Sequence, residues 1–273
     1  MKKYLCWLCI VGIFSLGIAA EKTVVYPQKL SYEMSLDETF EVMPKPGWTM
    51  YPQKELSLRF GTVLIRGPKN EFSMQLNFIC DTKDLAKYDT PEKMKRIFQK
   101  TMVPFFNESL EKQNKVRVQV RPFSPSGRFG FAMRISDKKY ADSAPPADEW
   151  KYLTSGVFRA GNDSVLMFSL MTNTVDDQAY LDLLDYIAAF AIPEKGDNGW
   201  QVASAADAYK IAEQEFAKRY PSESLMTQKP YSVSREGGKW CVWGNMWVLH
   251  PGGVAMAEID GATGKVFSVT HGK

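Results

Sequence analysis

Histidine is nearly missing from this sequence, and so is cysteine. Histidine occurs twice, as His250 and His271, and cysteine four times. Cys6 and Cys9 fall in the first twenty residues, which leaves Cys80 and Cys241 for the folded protein. A Ser–His–Asp or Cys–His site needs a histidine beside its nucleophile. His250 precedes Pro251-Gly252-Gly253, a turn, and His271 stands close to the chain end. No serine sits in a nucleophile elbow, and Cys241 lies inside an expected strand beside Trp240. Metal-ligand spacing of His and Cys is missing. No glycine-rich phosphate loop follows a strand. The acidic pairs Asp176-Asp177 and Asp182/Asp185 suit a helix start and an exposed helix face, where the helix dipole and solvent account for them. The expectation is a binding protein and not an enzyme, with no catalytic residues, no metal site and no cofactor.

A charge excess is also lacking. The formal charge is +3, and Lys2 and Lys3 lie in the N-terminal leader, so the remainder is close to neutral. That argues against nucleic acid as a partner. Only one long apolar run occurs, Tyr4 to Leu16, behind the two lysines and before Gly17-Ile18-Ala19-Ala20. This is the layout of a signal peptide over residues 1–19, cut after Ala19. The run is shorter than the roughly 18–20 residues of a spanning helix. The expected location is periplasmic or extracellular, without stable membrane insertion after cleavage. Cys6 and Cys9 lie within the run, not after it, so a lipid anchor is not expected. Export permits a disulfide. Cys80 and Cys241 fall in different expected domains, so two separate thiols are the first reading and a domain-clamping bridge the second.

Hydrophobic residues make up 45% of the chain, enough for real cores. Thr39 to Met43 reads as a strand ended by Pro44-Lys45-Pro46-Gly47. Glu55 to Arg66 alternates in two runs around Gly61, a hairpin signal. Phe72 to Phe78 alternates strictly, as a half-buried strand does. Thr90 caps a helix that opens on Pro91, and Pro104 should kink or split it. Val116 to Val120 reads as a strand, and Phe129, Phe131, Met133 and Ile135 as one face of another. Residues 136–148 read as an exposed loop. Ala160-Gly161-Asn162-Asp163 joins two strands of a hairpin. A helix over about 175–190 presents Tyr180, Leu183, Leu184, Ile187 and Phe190 on one face.

Residues 194–199 are the expected linker, because Pro193 to Gly199 holds no apolar residue. It separates a domain over 21–193 from one over 200–273. The second opens on a helix capped by Ser204 and running to Tyr220-Pro221. Strands follow at Tyr231 to Val233, Lys239 to Val248, Val254 to Ile259 and Lys265 to Val269, turned at Gly237-Gly238 and at Asp260 to Gly264. The fold class is α+β: an α/β/α layered N-terminal domain with a curved antiparallel sheet, then a small helix-plus-antiparallel-sheet domain of NTF2/cystatin type.

Two resemblances bear on function. The strand before Pro44-Lys45-Pro46-Gly47-Trp48, the paired strands, the long helix, the Phe129 to Ile135 strand and the hairpin with its closing helix resemble the PsbP/Mog1-like family. That family implies a scaffold for binding or assembly. The second domain resembles the NTF2-fold immunity proteins of bacterial polymorphic toxin systems. The stretches that carry it are Ala206 to Glu213, Gln228 to Tyr231, Gly238 to Gly244, Gly252 to Ala255, Glu258 to Asp260 and Gly264 to Lys273. The apolar run Met246 to Leu249 departs from it. Asp260, Thr263, Gly264 and Lys265 also resemble PepSY-like domains. The immunity resemblance implies a protein partner, a toxin bound and blocked; the PepSY one implies a protease partner.

Trp240, Trp243 and Trp247 lie on one expected strand. Period-2 alternation puts Trp240 on one face and Trp243 with Trp247 on the other. The expected partner-binding residues are Trp243, Trp247, His271 and Lys273. The leading reading is an exported immunity protein that occludes an envelope-acting toxin. The rivals are a regulator or inhibitor of an extracytoplasmic protease, a small-ligand carrier and an envelope assembly factor.

Overall fold

Alternating apolar and polar residues build the strands of this chain into antiparallel sheets, and three amphipathic helices cover their faces. The computed structural model describes residues 29–33, 38–52, 60–80, 85–110, 119–147, 149–175, 177–245 and 253–272. The leader, Trp247, His250 and Lys273 lie outside the described residues.

β1 (Leu30–Glu33) and β2 (Thr39–Val42) form a two-stranded antiparallel pair. The main sheet has seven antiparallel strands in the order β3-β4-β5-β9-β8-β7-β6. They are β3 (Thr49–Pro52), β4 (Phe60–Arg66), β5 (Phe72–Ile79), β6 (Arg121–Pro122), β7 (Gly130–Ser136), β8 (Tyr152–Arg159) and β9 (Val165–Thr172). α1 (Pro91–Leu110) covers one face, placing Met94, Phe98 and Met102 against Phe131, Met133, Val157 and Met167. α2 (Gln178–Ala188) covers the other, with Tyr180, Leu184 and Ile187 against Leu76, Phe78 and Phe168. The unit is therefore layered α/β/α, and with the sheet-and-helix unit that follows it the chain is α+β.

Local signals explain the helix starts. The Thr90 hydroxyl accepts from the Lys93 amide at 3.3 Å, and Pro91 needs no partner for a missing N–H. α1 does not split at Pro104; it runs on to Leu110 with one internal hydrogen bond fewer. Asp177 caps α2 by accepting from the Tyr180 amide at 2.8 Å, so the helix opens at Gln178, three residues later than expected.

Three expectations for the sheet need correction. β4 passes straight through Gly61, which pairs with Phe78, so the turn lies elsewhere and the hairpin partner of β4 is β3. β5 is buried on both faces, not one. It lies inside the sheet, and its polar side has lateral partners: Gln75 and Thr62 both donate to the Asn77 side-chain oxygen at 3.0 Å. Of the strand expected at Val116 to Val120, residues 116–118 lie outside the described residues, and the regular pairing is confined to the two-residue β6.

The β8–β9 hairpin turns where the Ala160 to Asp163 signal sits. Its conformation is locked from outside by Glu38, which is only 6% exposed. The Glu38 carboxylate accepts from the Asn162 and Asp163 amides and from the Ser164 hydroxyl, the last at 2.8 Å. A Cβ at Gly161 would stand 2.3 Å from that carboxylate. Replacing Glu38 with alanine takes the shared acceptor from the Asn162 and Asp163 amides and from the buried Ser164 hydroxyl. The expected loss is about 2–3 kcal/mol of stability, read from a urea midpoint that falls at an unchanged slope; Gly161→Ala should lower it too.

The polar segment Pro193 to Gly199 is fastened down rather than loose. Glu194 donates its amide to Ser126 at 2.8 Å and accepts from the Ala205 amide at 2.9 Å. Gly196 donates to Ala203 at 2.8 Å, and Asp197 pairs with Arg235 at 2.6 Å.

Beyond it, α3 (Ala205–Ala217) packs on a four-stranded meander, β10 (Ser232–Glu236), β11 (Lys239–Trp243), β12 (Ala255–Asp260) and β13 (Val266–His271). The Ser204 hydroxyl accepts from the Asp207 amide at 3.3 Å and donates to its carboxylate at 2.7 Å, closing the first turn. Ala205, Ala208, Ala212 and Phe216 face the sheet, and the small alanines bring helix and sheet close. Gly237 and Gly238 take φ of 52° and 87°, the left-handed turn a tight hairpin needs. After Tyr220-Pro221 the chain makes one further short helix, α4 (Ser222–Met226), which the sequence reading does not foresee.

Candidate functional site

Strand register divides the meander into two faces. Val233, Trp240, Val242, Ala257 and Ile259 turn inward, are fully buried and meet α3. Their neighbours turn outward. Ser232, Trp243, Met256 and Thr270 are register partners and form one row across the sheet. Ser234, Cys241, Glu258 and Ser268 form the next.

The outer face grades from closed to open. At the β10 edge, Ser232 is buried and joins the two units: its hydroxyl accepts from the Ser124 amide at 3.0 Å and donates to Asn245 at 2.9 Å. The Val233 amide donates to the Ser124 carbonyl, so this edge has a partner. Trp243 is half-buried, Met256 is 37% exposed and Thr270 is exposed. β13 has no further strand beside it among the described residues. Phe267 is 54% exposed there, next to a register shift at Glu258/Ile259.

The polar groups of this face are paired with one another. Lys239 donates to Glu258 at 3.1 Å, and the Ser268 hydroxyl donates to the same carboxylate at 3.3 Å. That contact holds the Lys239 ammonium above its usual range. The Cys241 thiol is pushed up, first by burial and then by the nearby Glu236 and Glu258 carboxylates. It is therefore a thiol and not a thiolate at neutral pH. Cys241 is expected to alkylate more slowly than a free thiol at pH 7.5 and to speed up as pH rises. Mass spectrometry against a reference thiol checks this. Neither Cys80 nor Cys241 is in a disulfide.

The structure does not bring the expected site residues together. Trp243 faces outward opposite Met256. His271 pairs with Ala255, one residue out of phase with the Trp243 row, and so points to the helix side. Its ring lies 5.3 Å from Tyr220 near the end of α3. Cys241 and His271 therefore sit on opposite faces. Trp247 and Lys273 lie outside the described residues. Met256 and Phe267 belong to the open surface and escape the sequence reading. Met256 was within its reach, because Ala255, Ala257 and Ile259 alternate inward around it.

What this arrangement can do is bind. It has a half-buried tryptophan, an exposed thioether and an exposed phenyl ring on a rigid sheet, which is the composition of a protein-contact surface. A search of the curated proteins finds no match to the chain. Residues 207–273, from the first turn of α3 through β13 to the last residue, match the family model described as NTF2 fold immunity protein.

Proposed function

We propose that this protein is an exported immunity protein that binds a toxin through the outer face and open edge of β11–β13 and blocks it by occlusion. One observation carries the reading: the region matching the immunity family is the same unit that exposes Met256 and Phe267 and leaves Trp243 half-buried on the outer face.

Dimensions decide how much surface is needed. Strands lie about 4.8 Å apart and rise about 3.3 Å per residue, so four strands of five residues span roughly 19 by 17 Å. That is roughly 320 Å² in projection, against about 800 Å² per partner in a stable complex. The flat face alone is too small. The β13 edge and Phe267 belong to the interface, and a partner must wrap over that edge. Occlusion needs shape and a few aromatic anchors, not a reactive group. The first unit, with its PsbP/Mog1-like order of elements, serves as the scaffold that braces the β10 edge through Ser124.

Export follows from the leader over residues 1–19 and fits a toxin that acts in the envelope. The expected result of expression with the full leader is protein in the periplasmic or extracellular fraction, with an intact mass that lacks the leader. A cytoplasmic protein of full mass contradicts it. For the interface, Phe267→Ala is expected to weaken toxin binding about 5- to 30-fold, a loss of about 1–2 kcal/mol, with little change in melting temperature.

A further inference from the structure

A second site lies away from the sheet face, where the first unit meets the fastened segment after Pro193. A cleft of ≈ 230 Å³ is lined by Asp89, Gly127, Arg128, Phe129, Arg159 and Glu194. It is smaller than the roughly 300–1,000 Å³ of typical small-molecule pockets. Arg128 precedes β7 and Arg159 closes β8; the Arg159 amide donates to the Phe129 carbonyl at 3.0 Å, which sets the two side chains at one end of the sheet.

Both guanidinium groups are held in place by neutral acceptors. Arg128 donates from Nε to the Ile192 carbonyl at 2.8 Å and from Nη1 to the Asn162 side-chain oxygen at 2.9 Å. Arg159 donates from Nη2 to the Asn162 carbonyl. Among the described residues, no carboxylate forms an ion pair with either. Burial and the like charge of Arg128 press the Arg159 guanidinium below its usual range, against the opposing pull of the Glu38, Asp163 and Asp89 carboxylates. Two of the nearby carboxylates are engaged elsewhere, while Asp163 and Glu194 stay close to the pair without an ion pair to it. Glu38 is satisfied by the hairpin turn, and Asp89 is bound by Lys93 at 2.8 Å. A guanidinium has five N–H donors in a planar fork, and most of them here remain for a ligand. Two cations pinned side by side, with no carboxylate at ion-pair distance among the described residues, form a preorganised anion site.

We propose that this cleft binds a compact carboxylate, shared between Arg128 and Arg159 and backed by the Phe129 ring. The proposal is independent of the sheet-face reading. A carboxylate is favoured over phosphate for two reasons. The planar fork matches a carboxylate's two oxygens. Asp89 and Glu194 in the wall repel a doubly charged anion more than a singly charged one. A carboxylate reaches the cleft either as a free small acid or as the end of a peptide chain.

The test is a titration of the full chain followed by the arginine Nε–Hε NMR signals. The probes are acetate, a short peptide with a free C-terminal carboxylate, the same peptide as its amide, and inorganic phosphate. Acetate or the peptide acid is expected to shift Arg128 and Arg159 saturably, with a midpoint of about 1 mM, the weak end of the affinity scale. The amide should do nothing. Arg159→Lys keeps the charge and loses the fork, and should weaken binding at least about 10-fold while the backbone spectrum stays folded. Tighter binding of acetate identifies a free acid, and tighter binding of the peptide a chain terminus. Three results overturn the proposal: no saturable shift from either carboxylate, phosphate binding more tightly than both, or unchanged affinity in a folded Arg159→Lys.

Discussion

Trp240→Ala should unfold the C-terminal unit, or nearly so, while the first unit keeps its sheet. Trp240 is fully buried at the centre of the second core. Its indole N–H donates to the Val202 carbonyl at 3.1 Å, and its ring meets Trp200 edge-on at 6.0 Å. Gly261 makes room for that pair, since a Cβ there would stand 2.1 Å from the Trp200 ring. Truncating a buried tryptophan costs about 3–5 kcal/mol through lost contacts and a cavity the surroundings only partly fill. The Val202 carbonyl loses a partner as well, which adds about 1 kcal/mol. The sheet it anchors is small, and small domains have little stability to lose. The expected readout is a melting transition for this unit lower by roughly 15 °C or more. Near-UV circular dichroism should lose its tryptophan signal before the far-UV signal collapses. A shift of only a few degrees would mean that Trp240 is not the centre of this core.

Trp243→Ala should do the reverse. The two residues are three positions apart on one strand, and the pleat turns Trp243 to the open face. Among the described residues it is not one of those packed against the inner core, so its removal should change stability little. Binding of the toxin should fall by at least about 2 kcal/mol, roughly 30-fold, as for a central aromatic anchor. Met256→Asp, placed directly opposite it in the register, should weaken binding comparably by setting a charge in the contact. The contrast between Trp240 and Trp243 is the sharpest internal control available. One separates folding from recognition on a single five-residue strand.

The parity of those tryptophans was legible in the sequence, because period-2 alternation follows from strand geometry alone. So were the caps at Thr90 and Ser204, the turn at Ala160 to Asp163 and the apolar stripe of α2. These depend on neighbours within a few residues. What the sequence hid depends on distant ones. The burial of β5 on both faces follows from its place inside a seven-stranded sheet, and strict alternation suggests the opposite. The pin at Glu38 reaches a hairpin more than a hundred residues away, and so does the Ser124–Ser232 joint. The segment after Pro193 reads as a linker because it has no apolar residue, yet its backbone groups are bonded on both sides. His271 is expected beside Trp243 among the partner-binding residues, and a one-residue phase difference in the register separates them. The arginine cleft has no local signature at all, since Arg128 and Arg159 meet only when β7 pairs with β8.

The central claim is that the open face of the C-terminal sheet covers a toxin. The most direct measurement is capture from the envelope fraction of the source cell, using tagged protein as wild type, Trp243→Ala and Met256→Asp in parallel. The account predicts one stoichiometric protein on the wild type, toxic when produced without this partner, and strongly reduced on both variants. Equal capture by all three folded proteins, or a captured protein that is harmless on its own, would contradict it.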